Sequence, residues 1–228
     1  MRFTLCTVDA GDAELLVRNC DFPAMQNNPL HLTMFPNSCQ GTEEEEMKWS
    51  IEALRKNILA RPAWFRKVCL EDGTPVGFAG WNLEQTTTMG GNSNNDVSKE
   101  RKKPNDFPNR DYWHPNTLDV EAWMRVSRLL REERIRVLCD RKDIWRLTIL
   151  SVDPKYQRQG IGSMLLKWGC EEADAHERDS FLMASPAGIN LYIKFGFKAV
   201  GDVHTSTGTF TSMLREANRS ENKSLKSV

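Results

Sequence analysis

The chain has 228 residues, which suits one enlarged domain with a substantial core. Lys+Arg and Asp+Glu both number 31, so no overall field draws it to nucleic acid, and no stretch approaches the roughly 18 apolar residues of a bilayer-spanning helix. Six cysteines, at 6, 20, 39, 69, 139 and 170, are scattered without C-x-x-C spacing, and Met1-Arg2-Phe3-Thr4 leads into alternating residues rather than an apolar leader core. The expectation is a cytoplasmic protein with reduced thiols, no zinc site and neither nucleic acid nor membrane as partner.

In chain order, Phe3 to Val8 alternates apolar and polar residues and predicts a strand, after which Asp9 can cap a helix running to about Cys20. One short helical turn is expected around Leu30 to Phe35. Thr42 stands three residues before Glu45, a capping-box spacing, and Met47, Ile51, Leu54 and Ile58 then share one helical face. The acidic run Glu43 to Glu46 fits the positive end of that helix better than a metal site. Trp64 to Glu71 and Pro75 to Leu83 read as strands joined by the turn Asp72-Gly73-Thr74.

From about Asn82 to Thr117 the composition shifts to Asn, Gly, Thr, Lys and Pro with almost no aliphatic residues, an insertion too long for an ordinary loop. It is either a disordered excursion or a lid whose Phe107, Tyr112 and Trp113 cover a ligand. Its basic run Lys99 to Lys103 reads as solvated linker. Leu118 to about Leu138 predicts a helix with Ala122, Val126, Leu129 and Leu130 inward, followed by a strand from Trp145 to Val152. Beyond the next helix, whose Ile161, Met164, Leu165 and Trp168 share a face, Phe181 to Ala184 is a short strand. Ser185-Pro186 then looks like an N-cap with proline at the first helical position. Phe197 to Val203 and Thr209 to Leu214 make a final hairpin, leaving a polar tail from residue 216 to 228 outside a single domain of residues 1–215.

The chemistry concentrates where the strand ending at Val152 meets Asp153-Pro154-Lys155-Tyr156-Gln157-Arg158-Gln159-Gly160-Ile161-Gly162. Glycines here let the backbone bend and approach a ligand, and the N–H groups opening the next helix suit a phosphate or pyrophosphate. No Lys follows the glycines as in a P-loop, and Leu165 stands where a dinucleotide fingerprint has its third glycine.

Gln157-x-x-Gly160-x-Gly162, preceded by Val152-Asp153-Pro154 and Tyr156, resembles the Q/R-x-x-G-x-G/A motif of the GNAT superfamily of acetyl-CoA-dependent N-acetyltransferases. Leu191-Tyr192-Ile193-Lys194-Phe195-Gly196-Phe197 is similar to that family's L-Y-x-K-x-G-F block, and the overall flavour looks most like its members in filamentous fungi. The resemblance implies an α/β fold of the α+β kind: a mixed central sheet with a splayed parallel strand pair, helices on both faces and here a long loop insertion. It implies CoA as cofactor, with the pantetheine arm between the splayed strands against Leu150 and Val152. The pyrophosphate would lie on Gln157, Arg158, Gln159, Gly160, Ile161, Gly162 and Ser163, and Ser185 stands where the family writes an Asn that contacts the arm.

By the same resemblance Tyr192 is the proton donor to the departing thiolate. A phenol near pKa 10 can serve a thiol near 8.5, although the transfer is uphill. Many relatives carry a glutamate on the strand before the glycine loop, whereas this strand carries Arg146, Thr148 and Ser151 and no acid. Glu84, His114, Asp119 and His204 remain as candidate bases, with Trp81, Glu84, Tyr112, Trp113 and His204 as the acceptor-side candidates. The expected function is acetyl transfer to a small-molecule amine. A protein lysine or N-terminal acceptor, or a CoA-binding module without catalysis, stays open, as does the oligomeric state, a homodimer included.

Overall fold

The computed structural model describes residues 2–84 and 113–219. Seven strands form one sheet in the order β1 (Thr4–Thr7), β2 (Phe65–Cys69), β3 (Pro75–Glu84), β4 (Ile144–Val152), β5 (Ser180–Ala184), β7 (Gly208–Arg215), β6 (Lys198–Thr205). Every neighbouring pair is antiparallel except β4 and β5.

On one face α6 (Ile161–Ala175) buries Ile161, Leu165, Leu166, Cys170 and Ala173 against β3 and β4, as its apolar spacing predicts. Met164 and Trp168 are only half-buried there. Trp81 and Trp145 stack in this layer with ring centroids 5.9 Å apart, and Gly169 leaves room for Trp81, since a Cβ there would lie 2.0 Å from the indole. The opposite face is covered by the helical stretch α1 (Ala13–Leu16) to α2 (Phe22–Met25) and by α4 (Glu43–Ala60), which bury Leu16, Val17, Ile51, Leu54 and Ile58 over Phe65 and Phe78. Beside them lie α3 (Pro29–Met34) and α5 (Val120–Leu138), the latter packing Val126 against Val203 and Phe210.

Several local expectations change. The helix after Asp9 does not stop at Cys20 but widens into a π turn over Val17–Asp21, where the Phe22 N–H reaches back to the Val17 carbonyl, and continues to Met25. Pro23 explains the widening: it has no N–H to give, and its ring conflicts with a regular α turn behind it. Thr42 does not cap through its side chain; its hydroxyl donates to the Cys39 carbonyl at 2.9 Å. Leu129, expected inward, is 39% exposed. The tail begins tied down, because the Ala217 and Asn218 N–H groups donate to Asp179 (3.0 Å) and Asp174 (2.7 Å). β3 extends through Glu84, so the predicted insertion starts inside a strand; residues 85–112 and 220–228 lie outside the described residues.

Candidate active site

The parallel ladder between β4 and β5 joins only Trp145 to Ser180 and Arg146 to Phe181. From there β4 follows β3 as far as Val152 while β5 follows β7 to Ala184, so the two strands part like the arms of a wedge. A bulge adds to the bend. Gly80 pairs with Ile149 and Trp81 with Leu147, leaving Thr148 as the extra residue, its hydroxyl donating to the Gly80 carbonyl at 2.9 Å. Among the described residues no strand pairs with the outer edge of β4 past Arg146. That edge offers backbone donors and acceptors to an extended amide-bearing chain.

The loop at the mouth of the wedge is built from its own sequence. Asp153 accepts from the Lys155 N–H (2.9 Å) and caps the turn Pro154–Tyr156, and Gln157 Nε2 donates to the Val152 carbonyl (3.1 Å), folding the loop onto the strand end. Gly160 sits at φ +90° as the residue opening α6, a conformation that strains any side chain. Gly162 is constrained by space: a Cβ there would lie 3.2 Å from Leu191 and 3.8 Å from Leu150. Met164 N–H is the first to bond back within the turn, to the Gly160 carbonyl at 3.0 Å. The N–H groups of Ile161, Gly162 and Ser163 therefore face outward at the positive end of a 15-residue helix, a cradle for a diphosphate. Wedge and cradle together fit the pantetheine diphosphate of CoA.

A cavity of about 440 Å³ runs through the wedge from Tyr192 and Ser185 on one side of the sheet to Asp21, Asn28 and α5 on the other. Tyr192 lies on α7 (Ile189–Lys194) with its ring edge-on to Phe197 and is 8% exposed. Loss of hydration pushes its phenol up to about 12, which keeps it protonated at neutral pH. Gly188 is what admits the ring, since a Cβ there would lie 2.6 Å from Tyr192 Cε2.

Across the cavity the π turn brings a carboxylate to β4, which carries no acid of its own: Ser151 Oγ donates to Asp21 Oδ1 at 2.6 Å. Burial raises the Asp21 carboxyl above its ordinary value, and the Ser151 hydrogen bond opposes that rise. Asp21 was not among the predicted site residues. The nearest signal in the sequence is Pro23, two residues after it, which forces the extra residue into the turn.

The predicted residues separate into groups. Leu150, Ser185 and Tyr192 line the cavity, and the glycine-loop residues surround the cradle, with Arg158, Gln159 and Gly160 exposed and the Ile161 side chain in the core. Val152 is buried, and its carbonyl already accepts from Gln157, whose side chain thus shapes the loop. Ser185 is no helix cap: α7 starts four residues later at Ile189, and Ser185 instead accepts from the Gly188 N–H at 3.0 Å in a turn.

Trp81 belongs to the core, at 2% exposure, and does not line the cavity. Glu84 is ion-paired with Arg146 at 2.5 Å. Asp119 caps α5 by accepting from the Ala122 N–H (2.8 Å), and His114 contacts the neighbouring Pro115 carbonyl (3.3 Å). His204 is exposed on the terminal hairpin beside Thr209 Oγ1 at 3.0 Å. Trp113 is exposed under Lys48, whereas Phe107, Tyr112 and Lys99 to Lys103 fall outside the described residues.

Comparison with known proteins accords with this geometry. The family model for the acetyltransferase (GNAT) domain matches residues 127–199, which span the wedge strands, the glycine loop and Tyr192. A protein described as an acetyltransferase from Stachybotrys chartarum is 29% identical over 87 residues, covering 37% of this chain; the matched part is about a third of that relative, 34% of its length.

Among solved structures, arylalkylamine N-acetyltransferase 2 from Aedes aegypti superposes with TM-score 0.64 at 16% identity, over 96% of this chain and all of that one. A protein described as histone acetyltransferase HPA2 and related acetyltransferase from Corynebacterium glutamicum gives 0.57 at 16% identity, over 95% and 97%. The PaiA N-acetyltransferase from Thermoplasma acidophilum in complex with coenzyme A gives 0.51 at 16% identity, over 95% and 99%. The splayed strands, the glycine loop and Tyr192 thus lie within a segment, residues 127–199, that matches the acetyltransferase (GNAT) domain, and the fold around it is the one these acetyltransferase structures share.

Proposed function

We propose that the protein transfers an acetyl group from acetyl-CoA to a small-molecule amine. The observation that carries the reading is the wedge between β4 and β5, with the helix-α6 cradle at its mouth and Tyr192 at its wall. When bound, the cofactor supplies an acetyl group activated as a thioester. The edge of β4 that no described strand pairs with would hold the pantetheine amides, Ile161, Gly162 and Ser163 would hold the diphosphate through their N–H groups, and Ser185 would contact the arm.

An amine attacks productively only when neutral. Asp21, reaching the cavity next to Ser151, takes the proton from the incoming ammonium directly or through one water, and its poor hydration makes it a stronger base than an exposed carboxylate. Attack of the amine nitrogen on the acetyl carbon would break the carbon–sulfur bond; Tyr192 would give its hydroxyl proton to the departing thiolate, and the second proton lost by the nitrogen as the amide forms would restore the phenol through solvent. A backbone N–H on the β4 edge near the Thr148 bulge would supply the hydrogen bond to the developing oxyanion.

A small acceptor is favoured because α5 and the α2 to α3 segment wall the cavity on the side away from the cradle, leaving about 440 Å³. The test is thiol release from acetyl-CoA with a panel of amines and of lysine and N-terminal peptides. The reading expects release with amines of small size; release with peptides alone would replace the acceptor class, and no release with any acceptor would remove the activity.

A further inference from the structure

One wall of the cavity is carried by a helix too short to place itself. α3 has six residues, and helices of fewer than roughly 12 are marginal alone, so its position is set by what it touches. Asn28 and Leu30, on either side of Pro29, line the cavity from this wall, and Phe210 lines it from β7. The C-terminal end of α3 is tied to the start of α5, where the Asp119 N–H donates to the Met34 carbonyl at 2.8 Å.

The other end is tied to the turn between β6 and β7. Thr207 Oγ1 lies 2.7 Å from the Pro29 carbonyl and 2.7 Å from Thr33 Oγ1, which itself donates to that carbonyl at 2.8 Å. A carbonyl oxygen has two lone pairs, so one acceptor serves both hydroxyls. The turn is shaped for this contact. Thr205 Oγ1 closes it by donating to the Gly208 carbonyl at 2.6 Å, and Gly208, at φ +152°, leaves room for the proline ring, since a Cβ there would lie 2.7 Å from Pro29 Cγ. Thr207 is half-buried by these contacts, while Ser206 beside it is exposed.

We propose that Thr207 and Thr33 are positioning residues that set the length of acceptor the cavity takes. Their hydroxyls bolt the α3 wall to the terminal hairpin, which holds Asn28 and Leu30 at a fixed distance from Phe210. Neither threonine lines the cavity, so both act through those neighbours. This rests on the acetyltransferase reading and names what limits the size of its acceptor.

The test measures binding of n-alkylamines, from propylamine to decylamine, to the protein saturated with CoA, by calorimetry, so that it needs no turnover. In wild type, affinity should rise with each added carbon, as apolar burial grows, and then fall beyond a limiting length. Valine keeps the shape of threonine without its hydroxyl. In the double variant Thr33→Val, Thr207→Val the limit should move to longer chains, and the first amine that wild type excludes should bind about tenfold tighter, the scale of one to two neutral hydrogen bonds. Thr207→Ser retains the hydroxyl and should retain the wild-type limit. Gly208→Ala leaves both hydroxyls but pushes the Pro29 ring off the turn, so it should lengthen the limit too, and it decides the question if the double variant does not fold.

A wild type without a length limit, or a limit unchanged in the valine variant at wild-type melting temperature, overturns the proposal. So does a limit that shifts equally in Thr207→Ser. Thiol release from acetyl-CoA is measured separately on the same amines. Its absence despite length-limited binding would refute acetyl transfer and leave the bolt standing, whereas efficient release with the longest amines in wild type would refute the bolt and leave acetyl transfer standing.

Discussion

Ser151 Oγ lies 2.6 Å from Asp21 Oδ1, tying a turn near the start of the chain to the strand that opens the cleft 130 positions later. The contact sets a carboxylate, poorly hydrated and one hydrogen bond from β4, at the position where the strand itself has no acid.

Asp21→Asn keeps an oxygen to accept from Ser151 but cannot take a proton. Turnover is expected to fall by about 10² to 10⁴ with CoA affinity unchanged, as read by steady-state kinetics beside calorimetry. The pH profile carries the sign. In the folded protein Asp21 titrates above its ordinary 3.8, so wild-type activity rises with pH through that raised value, and the Asn variant lacks the rise. Stability runs the other way. The native state holds this proton to higher pH than the unfolded chain, so wild type loses stability as pH climbs from 3.8 through the folded value. At neutral pH the variant should melt no lower than wild type, and a clearly lower melting temperature there would mark Asp21 as a structural residue.

Tyr192→Phe removes one hydroxyl and keeps the ring packed on Phe197. Turnover should drop by about 10² to 10⁴, less if water substitutes, while CoA affinity and melting temperature hold. Full activity where chemistry limits the rate would show that the thiolate departs without this proton.

Gly188→Ala tests the same side chain through its neighbour. The new Cβ, 2.6 Å from Tyr192 Cε2, must push the ring aside, so turnover should fall while CoA binding changes little. Gly160→Ala meets no atom within 4 Å but is strained at φ +90°, an expected cost of about 1 to 2 kcal/mol in unfolding experiments, together with weaker CoA binding. Gly162→Trp fills the gap beside Leu191 and Leu150 and should abolish CoA binding at concentrations that saturate wild type.

Away from the site, Arg215 grips Asp174 with two hydrogen bonds of 2.8 and 2.6 Å, and the Asn218 N–H adds a third at 2.7 Å. Chiefly because of Arg215, the Asp174 carboxyl titrates below 3.8, so its stabilisation is present above that value and is lost as pH falls through the folded pKa. Asp174→Asn should cost about 1 to 3 kcal/mol at pH 7 and progressively less below pH 3.8 in denaturant unfolding.

What the sequence made legible was local. Strand alternation, the Asp72-Gly73 turn and the apolar face of α6 follow from spacing within a few residues, and β2, β3 and α6 form where that spacing places them. The glycine loop was legible for the same reason, though its two glycines act differently, Gly160 through φ and Gly162 through space.

Long-range partners were not legible. Asp21 meets Ser151 because a π turn rotates one extra residue into register ahead of Pro23, an effect that hydrophobic periodicity does not carry. Trp81 read as an acceptor-side aromatic, yet β3 is buried on both faces along most of its length, so its indole faces Gly169 in the core. The facing of α5 was not legible either, since only the fold shows that Ser127, Leu130, Arg131 and Arg134 lie on its cavity side.

The most direct measurement of the central claim is amide hydrogen exchange with and without CoA. The wedge predicts slowed exchange at residues 148–152 on β4 and 158–163 around the cradle, and that Gly162→Trp abolishes the effect. A folded protein that shows no protection there at millimolar CoA, or that binds CoA with protection confined to other segments, would contradict it.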